Sequence, residues 1–365
     1  MILLTGADGY LGSRLTAALL ATTQHRLILT VRAADRTEFA AKRAAVTAAA
    51  NDSDRVTVVP LNLLDAEPFS DIDPAPVTAI VHTAALTRFT VDRDDAAAVN
   101  VAGTAKVGEF ARRCPALERL VVLSTLYAVG KAVGTVHEDP GEDRGFVNHY
   151  EWSKWAGEQA LLSPGMPTTV IARMPTVIAD DATGTVNQYN AFHTTLRLYY
   201  YGLLSLLPGD PATPVTVSTT DFAVSALLAL LEPTTAGGIY HVCPAPEDTL
   251  PLGELVTIAF DAFGDDEAFR RRRLLPPLVC DAATFRTVLE AAAGTGGPLR
   301  SALDSISPFA DQLYYTKHFD NRRLRAVWPD YRPPNPVALV EAVCQELVAT
   351  RWGRRQRRSN VPAHA

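Results

Sequence analysis

The sequence predicts an α/β fold: a Rossmann-type, doubly wound parallel sheet with a smaller, mainly helical C-terminal substrate lobe. A glycine-rich turn, TGADGYLG at 5–12, follows an apolar strand at 2–4 and precedes a helix at 13–23. Strand patterns then alternate with helical patterns as far as about residue 180. Such alternation is typical of a parallel sheet with helices on both faces.

The glycine turn is suited to holding a phosphate group. Gly6 allows the sharp turn after the strand, Gly9 lets the backbone approach a pyrophosphate, and Gly12 lets the helix pack closely on the sheet. The N-terminus of that helix offers N–H groups and a partial positive charge to the anion. The alternative is an ordinary strand-to-helix turn, because this spacing differs from the common G-x-G-x-x-G pattern.

Apolar runs and their spacing predict the remaining elements. The predicted strands lie at 26–32, 55–62, 77–85, 119–130, 168–175 and 238–244, and the helices at 99–113, 149–162 and, rich in aromatic residues, 187–207. The predicted domains are an NADP-binding Rossmann domain at 1–180 with late sheet elements from about 208–245, an interleaved substrate lobe at 181–350, and a basic flexible tail at 351–365.

Composition indicates a globular protein. Of the 365 residues, 47% are hydrophobic and 20% are charged. The formal net charge of −6 argues against a nucleic-acid partner. No apolar run approaches the roughly 20 residues of a membrane span, and the glycine motif follows the first residues directly, so we expect no signal peptide. The four cysteines lack metal-ligand spacing, so we expect reduced thiols, a cytoplasmic protein and no metal.

The residues after the second strand favour NADP over NAD. Arg32 stands where an NAD-specific protein usually carries an acid for the ribose 2′-hydroxyl. A guanidinium there suits the 2′-phosphate of NADPH, and Arg43 is a second candidate. The alternative is a solvated basic helix. Asn62 and Leu63, at the end of the third strand, are expected beside the adenine.

Three residues predict proton-transfer chemistry. Tyr150 and Lys154 are four positions apart on a predicted helix and therefore project from one face. A lysine ammonium beside a phenol lowers the phenol pKa and suits it to general acid or base catalysis. Thr125 follows the fifth strand, at the edge of the sheet where such folds bind ligands. The alternative for Tyr150 is a surface tyrosine beside a solvated lysine.

The segments TGADGYLG, VHTAA, VNVAGT, LSTLYAVG and YEWSK together resemble the extended short-chain dehydrogenase/reductase superfamily. Within it the chain is most similar to thioester reductases: the terminal reductase domains of carboxylic acid reductases and nonribosomal peptide synthetases, with fatty acyl-CoA reductases as cousins. The segments TVRAADRTEFAAKR, VNHYEWSKWAGEQ and ARMPTVIADDATGTVNQYN carry this closer resemblance. It implies that Thr125, Tyr150 and Lys154 form a catalytic triad.

The motifs and the family resemblance together predict which residues bind the cofactor and which line the substrate pocket. The expected cofactor-binding residues are Thr5, Gly6, Gly9, Tyr10, Leu11, Gly12, Arg32, Arg43, Asn62, Leu63, Thr83, Ala84, Ala85, Asn100, Tyr150, Lys154, Met174, Pro175, Thr176 and Val177. The expected substrate-lining residues are Leu126, Asn187, Tyr189 and Phe192.

The resemblance implies an NADPH-dependent reductase that converts an acyl thioester, bound to CoA or to a carrier protein, to an aldehyde. A second hydride transfer would give an alcohol, and the sequence leaves this alternative open. Thr125 and Tyr150 would hydrogen-bond the developing oxyanion. An acidic carrier protein is an expected partner, and two basic clusters, the arginines at 270–273 and the tail at 351–358, are candidates to steer it. The alternative is that both clusters are solvated surface charge. The alternatives are an NADP-dependent oxidoreductase of a sterol-like or sugar-like ketone or alcohol, and a non-catalytic NADP-binding protein.

Overall fold

The computed structural model describes residues 1–162, 166, 168–293 and 297–354. The strands are β1 Ile2–Thr5, β2 Leu27–Val31, β3 Val56–Pro60, β4 Ala79–His82, β5 Arg119–Thr125, β6 Gly134–Val136, β7 Thr169–Met174, β8 Thr176–Ala179, β9 Leu206–Pro208, β10 Pro214–Val215, β11 Val217–Thr219, β12 Gly238–His241, β13 Leu250–Pro251, β14 Leu278–Cys280 and β15 Lys317–Phe319. The α-helices are α1 Tyr10–Thr22, α2 Arg36–Ala49, α3 Arg93–Ala96, α4 Gly103–Arg113, α5 His149–Leu161, α6 Ala191–Tyr200, α7 Thr220–Leu231, α8 Leu252–Gly264, α9 Glu267–Arg272, α10 Ala282–Ala293, α11 Gly297–Ala310, α12 Arg322–Val327 and α13 Pro336–Ala349.

Seven parallel strands form the central sheet in the order β12-β7-β5-β4-β1-β2-β3. Thr5 is in register with Thr30 of β2 and His82 of β4, so the carboxyl ends of the three strands meet at one edge. Strand order reverses beside β1, and this reversal opens a crevice at that edge. The predicted Rossmann-type fold is confirmed.

Both faces of the sheet are covered, as continuous apolar strands require. In β1, Ile2 and Leu4 join one buried cluster, which includes residues of α1 and α7. Leu3 points the other way and joins a second cluster with residues of α4 and α5. The period of two along a strand therefore places alternate residues in opposite cores.

Several element boundaries differ from the predicted ones. The fifth strand ends at Thr125 rather than 130, and a 3₁₀ turn, Leu126–Val129, follows it. The aromatic-rich helix is α6 alone, shorter than 187–207. Asn190 begins it by accepting a hydrogen bond from the Phe192 N–H, and Gly202 follows its end with φ +65°. A positive φ favours glycine and stops the helix there.

The chain divides into two compact units. Unit 1 comprises Met1–Thr176, Thr220–Glu247 and Tyr315–Pro333, and unit 2 comprises Val177–Thr219, Asp248–Tyr314 and Pro334–Ala365. The segment at 315–333, expected in the substrate lobe, belongs to unit 1, where β15 pairs in parallel with β6. Of the late elements expected in the sheet from about 208–245, β12 joins it, whereas β11 pairs with β8 in a separate ribbon.

Unit 2 is mainly helical and has its own apolar core. The tail at 351–365 was expected to be flexible, but its first residues pack against unit 2, because Trp352 is buried. Its ring lies 5.4 Å from the ring of Tyr200 and 6.2 Å from that of Phe263. Residues 355–365 of the expected tail lie outside the described residues.

Candidate active site

A groove of about 230 Å³ lies at the carboxyl edge of the sheet in unit 1, beside the glycine turn. Eight of the expected cofactor-binding residues line it: Gly6, Gly9, Arg32, Asn62, Leu63, Thr83, Ala84 and Ala85. Six further residues complete its wall: Asp8, Thr30, Leu61, Leu64, Leu86 and Val99.

The glycine turn requires glycine. Gly6 has φ +71°, and a Cβ placed there would lie 2.9 Å from the backbone of Ala84. A Cβ on Gly12 would lie 2.2 Å from the carbonyl oxygen of Gly6, which is far inside the van der Waals contact distance of the two atoms. Gly9 is the N-cap of α1, and no side chain caps the helix. The N-terminal N–H groups of α1 thus face the turn with no capping side chain, which fits a phosphate ligand.

An unpartnered polar atom also indicates a ligand in the groove. The Thr30 hydroxyl is buried without a hydrogen-bond partner among the described residues, and Thr30 lines the groove. Buried polar groups are nearly always hydrogen-bonded, so this hydroxyl fits a polar group of a bound cofactor. Thr30 is not among the residues expected from the sequence. Its place near the end of a strand, two residues before Arg32, could have identified it as a groove residue.

The basic side chains after β2 have separate roles. Arg32 is exposed and lines the groove. Lys42 Nζ donates to the Arg32 carbonyl at 2.7 Å and lies 3.2 Å from the carboxylate of Asp8 in the glycine turn. Arg43, expected to bind the cofactor, instead stacks 5.7 Å over the ring of Phe39 and is absent from the groove lining. Successive helical residues point about 100° apart, which separates Lys42 from Arg43.

Two expected cofactor residues hold the backbone of the groove in place. Thr83 Oγ1 donates to the Thr5 carbonyl at 2.6 Å. Thr5 Oγ1 lies 2.7 Å from His82 Nδ1, and His82 Nε2 lies 3.3 Å from the Thr104 hydroxyl. Burial lowers the pKa of His82 to about 3, so this ring is neutral near pH 7 and links β1 to Thr104 through its two nitrogens.

Asn100, on a π-helical segment Ala97–Ala102, ties the groove to the helix of the tyrosine. Its side-chain amide accepts from the Leu86 N–H at 2.8 Å and donates to the Leu86 carbonyl at 2.9 Å. The same amide donates to Ser153 Oγ, which donates to the Tyr150 carbonyl. Because Leu86 lines the groove, Asn100 positions its wall through direct backbone hydrogen bonds.

The helix that carries Tyr150 and Lys154 is α5, and the side chain of Asn148 caps its N-terminus. Asn148 Oδ1 accepts from the Glu151 N–H at 2.9 Å, and the Glu151 carboxylate accepts from the Val147 N–H at 3.1 Å. This reciprocal arrangement fixes the first turn of α5. Tyr150 and Lys154 therefore leave the helix one turn apart, on the same face.

Two of the three expected catalytic residues, Thr125 and Tyr150, are in contact, and Lys154 lies one helical turn after Tyr150 on α5. Thr125 hydrogen-bonds the Tyr150 hydroxyl, and the Lys154 ammonium donates to the Leu123 carbonyl at 2.7 Å. The ring of Phe89, which the sequence analysis missed, packs edge-on against Tyr150 at 5.7 Å. Its position in a loop gave no periodic signal.

The pKa values of this group differ from the expected ones. Burial raises the pKa of Tyr150, and its hydrogen bond with Thr125 only partly opposes this. Burial also lowers the pKa of Lys154 to about 8. The expectation that Lys154 lowers the phenol pKa is not met, because burial dominates and the lysine hydrogen-bonds a backbone carbonyl. Tyr150 is therefore held protonated near pH 7, which suits a proton donor.

A buried ion pair supports the catalytic strand end. Arg173 Nε donates to Glu158 Oε1 at 3.0 Å, and Arg173 Nη2 to Oε2 at 2.6 Å. The Ser124 hydroxyl also donates to Glu158. Ser124 lies between Leu123, whose carbonyl holds Lys154, and Thr125, which contacts Tyr150. The ion pair thus fixes the strand that carries both contacts of the triad.

The other expected cofactor residues lie outside the groove lining. The Tyr10 hydroxyl accepts from Thr220 at 2.8 Å, and Leu11 packs against the apolar core of unit 1. Met174 is buried in the same core, and Thr176 Oγ1 lies 3.2 Å from the Tyr127 hydroxyl. Pro175 connects β7 to β8, and Val177 belongs to unit 2.

The expected substrate-lining residues fall in both units. In unit 1, Leu126 is buried in a small apolar cluster. In unit 2, Asn187 Nδ2 donates to Asp180 at 2.5 Å, Tyr189 is 42% exposed, and Phe192 is buried. These roles remain predictions.

The arginines expected to steer a carrier protein lie in unit 2 and are largely engaged locally. Arg271 pairs with Glu267, and Arg272 stacks over Tyr200 at 4.7 Å and over Tyr201 at 5.1 Å. No helix in the described part of the chain is long and apolar enough to cross a membrane. The four cysteines are free and buried.

A family model described as "Male sterility protein" matches residues 4–227, more than half of the chain. The chain belongs to the male sterility protein family. The match spans the glycine turn, the groove and the triad, and it confirms the resemblance drawn from the motifs. This family member is an NAD(P)-dependent oxidoreductase of the extended short-chain dehydrogenase/reductase type.

Known proteins similar to this family member include biosynthetic enzymes. An isonitrile lipopeptide synthase from Streptomyces coeruleorubidus is 30% identical over 212 residues, which are 54% of this chain and 14% of that protein. The terminal R domain from the myxalamid PKS-NRPS pathway has a TM-score of 0.75 at 21% identity, covering 96% of this chain and 91% of that one.

Two further structures show the same fold. A thiolation-reductase di-domain from an archaeal non-ribosomal peptide synthetase has a TM-score of 0.72 at 16% identity, covering 96% of this chain and 75% of that one. UDP-glucuronic acid 4-epimerase from Bacillus cereus, in complex with NAD, has a TM-score of 0.65 at 16% identity, covering 95% and 98%.

Proposed function

We propose that this enzyme reduces the carbonyl of an acyl thioester to an aldehyde with NADPH. The observation that carries the proposal is the contact between the Thr125 and Tyr150 hydroxyls, with the buried Lys154 one turn further along the same helix, on the Leu123 carbonyl. When bound, the nicotinamide cofactor supplies the hydride. In balance, the thioester, NADPH and a proton give the aldehyde, the free thiol and NADP⁺.

The residues of the chain act on the carbonyl oxygen. Thr125 and Tyr150 donate hydrogen bonds to the oxyanion that develops there, and Tyr150, protonated near pH 7, gives up the proton. Lys154, held on the Leu123 carbonyl, supplies a positive charge to the site while it is protonated. The proposed preference for NADPH rests on Arg32, which lines the groove where an NAD-specific protein would carry an acid.

The proposed substrate class draws on the similar proteins. Two of them are reductase domains of assembly-line synthetases, and a third is a lipopeptide synthase of which this chain matches 14%. We therefore propose that a carrier protein delivers the thioester. Epimerases share the fold, but they usually carry an acid after the second strand, where this chain has Arg32.

The test is NADPH oxidation with acyl-CoA and carrier-bound acyl thioesters, with aldehyde and free thiol measured in parallel. One aldehyde and one thiol per NADPH are expected; two NADPH per thiol would show that reduction continues to the alcohol. Simple ketones serve as the comparison substrate. Reduction of ketones without any thioester reduction would overturn the proposal.

Carrier delivery has its own test. Arg271→Glu should lower kcat/KM about two- to threefold with a carrier-bound acyl group at low salt, because exposed charges mainly affect association. The same acyl group on CoA is the matched substrate and should react at an unchanged rate. Arg271 is preferred to Arg272, whose aromatic stacking would also be lost. Equal rates before and after the change, with both substrates, would exclude this docking role.

A further inference from the structure

The glycine turn places an acidic side chain in the groove of unit 1. Asp8 lies between Gly6 and Gly9 in the chain and lines the groove together with both of them. A carboxylate and a phosphate repel each other, and the repulsion is stronger where their surroundings exclude water. Asp8 by itself would therefore weaken the binding of a phosphate at the turn.

A lysine from the second helix lies against this carboxylate. Lys42, on α2, places its ammonium nitrogen 3.2 Å from Asp8 Oδ2. The side chains of Lys42 and Asp8 are 33% and 30% exposed, so water and salt screen the pair only in part. The ammonium thus offsets the negative charge that Asp8 brings to the groove.

The Lys42 ammonium has an oxygen neighbour within the protein for each of its protons. Besides Asp8, its Nζ lies 3.1 Å from Glu38 Oε1 and donates to the Arg32 carbonyl at 2.7 Å. Glu38 is held in turn, since its Oε2 accepts from the Ala34 N–H at 2.7 Å. An ammonium has three donors, and these three oxygens match them. Lys42 is therefore engaged with protein groups and acts on a phosphate through them.

The contact with Arg32 gives Lys42 a second effect. The carbonyl that Lys42 holds belongs to the residue whose side chain lines the groove and is proposed to select NADPH. Lys42 thus fixes the backbone of a cation in the groove and offsets the charge of an anion there. Because the pair with Asp8 is partly exposed, it contributes little to the stability of the fold. Its main effect is on charged molecules that bind in the groove.

We propose that Asp8 and Lys42 form a charge pair that sets the affinity of the groove for NADPH, with Lys42 as the positioning residue. This inference rests on the proposed function, because it takes NADPH as the cofactor. Lys42 prevents Asp8 from repelling the cofactor phosphates. NADPH carries one phosphate more than NADH, so the loss of Lys42 should weaken the binding of NADPH more than that of NADH.

Lys42→Met tests the charge pair, since methionine keeps an unbranched side chain and lacks the charge. The probes are 2′,5′-ADP and 5′-AMP, which correspond to the adenosine phosphate portions of NADPH and NADH. In calorimetric titrations at low salt, Lys42→Met should lower the affinity for 2′,5′-ADP about tenfold and that for 5′-AMP about threefold or less. Both losses should shrink at 1 M salt, where the Debye length is about 3 Å.

The deciding variant combines Lys42→Met with Asp8→Asn, which removes the carboxylate charge as well. Its affinity for 2′,5′-ADP should return to within about threefold of wild type, although the Arg32 carbonyl has still lost its lysine. Lys106→Met is the matched control, because Lys106 Nζ also donates to the carbonyl of a groove residue, Leu63, at 3.0 Å. It should change either affinity less than about twofold.

A loss of affinity that Asp8→Asn does not restore would overturn the charge pair, and Lys42 would then act on the phosphate directly or on the Arg32 backbone alone. Equal affinity of the wild-type protein for 2′,5′-ADP and 5′-AMP would overturn the NADPH preference and this inference together. The titrations contain no thioester, so a failure of thioester reduction would overturn the proposed reaction and leave the charge pair standing.

Discussion

Unit 1 and unit 2 bury their side chains with different chemistry. The core of unit 1 includes an ion pair, Arg173 with Glu158, whose side chains are 0% and 1% exposed. In unit 2, the pair of Arg300 with Asp304 lies at the surface, and the largest cluster is apolar. The buried charge of unit 1 lies next to the carboxyl end of β5, where Ser124 donates a hydrogen bond to Glu158. The two units thus differ in where these ion pairs lie: the pair in unit 1 is buried, and the pair in unit 2 is at the surface.

The largest expected effect concerns the buried pair. Arg173→Met leaves the Glu158 carboxylate buried without its cation, which should lower the free energy of unfolding by about 3–5 kcal/mol. Urea denaturation measures it. The matched change in unit 2 is Arg300→Met, whose partner Asp304 is 53% exposed. That variant should lose less than about 1 kcal/mol. Similar losses of unfolding free energy in Arg173→Met and Arg300→Met would show that the buried pair of unit 1 and the exposed pair of unit 2 do not differ in their contribution to stability.

The second effect concerns turnover. Tyr150→Phe keeps the ring and removes the proton donor, so kcat should fall at least ~100-fold while NADPH affinity, measured by fluorescence titration, stays nearly intact. In unit 2, Tyr314 also has a hydrogen-bonded hydroxyl, which donates to the Cys280 carbonyl. Tyr314→Phe should leave kcat within twofold of wild type. Wild-type turnover in Tyr150→Phe would show that another group donates the proton.

The third effect concerns cofactor choice. Arg32→Ala should raise the Michaelis constant for NADPH about tenfold or more and barely change that for NADH, since a charge-assisted hydrogen bond is worth about 1.5–3 kcal/mol. Arg43→Ala is the control, because Arg43 stacks on Phe39 away from the groove. It should change either constant less than twofold. If Arg43→Ala raised the Michaelis constant for NADPH more than Arg32→Ala did, Arg43 rather than Arg32 would be the residue that binds the 2′-phosphate.

The fourth effect concerns pH. The pKa of Lys154 is lowered to about 8, so its positive charge is present below that pH and is lost as the pH rises through it. We expect kcat/KM to fall about tenfold per pH unit above the midpoint. The pKa of Lys317 is also lowered to about 8. Lys317→Met should keep the alkaline fall, and Lys154→Arg should remove it, since a guanidinium stays charged.

The sequence by itself determined the sheet, the glycine turn and the tyrosine–lysine pair. The separate strands, the glycine turn and the pair each depend on residues that are close in the chain, so local geometry fixes them, and the alternation of strands with helices predicts the parallel sheet. Gly6, Gly9 and Gly12 lie on one turn and the start of one helix, and Tyr150 and Lys154 lie one helical turn apart. Backbone sterics and the helical period therefore suffice to predict them.

Only the tertiary structure decided which distant residues meet. Ser124, Glu158 and Arg173 lie on separate elements, and no local pattern announces their contact. The orphan hydroxyl of Thr30 likewise depends on how separate elements pack. Packing depends on many weak contacts between parts of the chain that are remote in sequence, whereas a motif contains information only about the residues of one short segment. The groove could thus be predicted, and its supporting network could not.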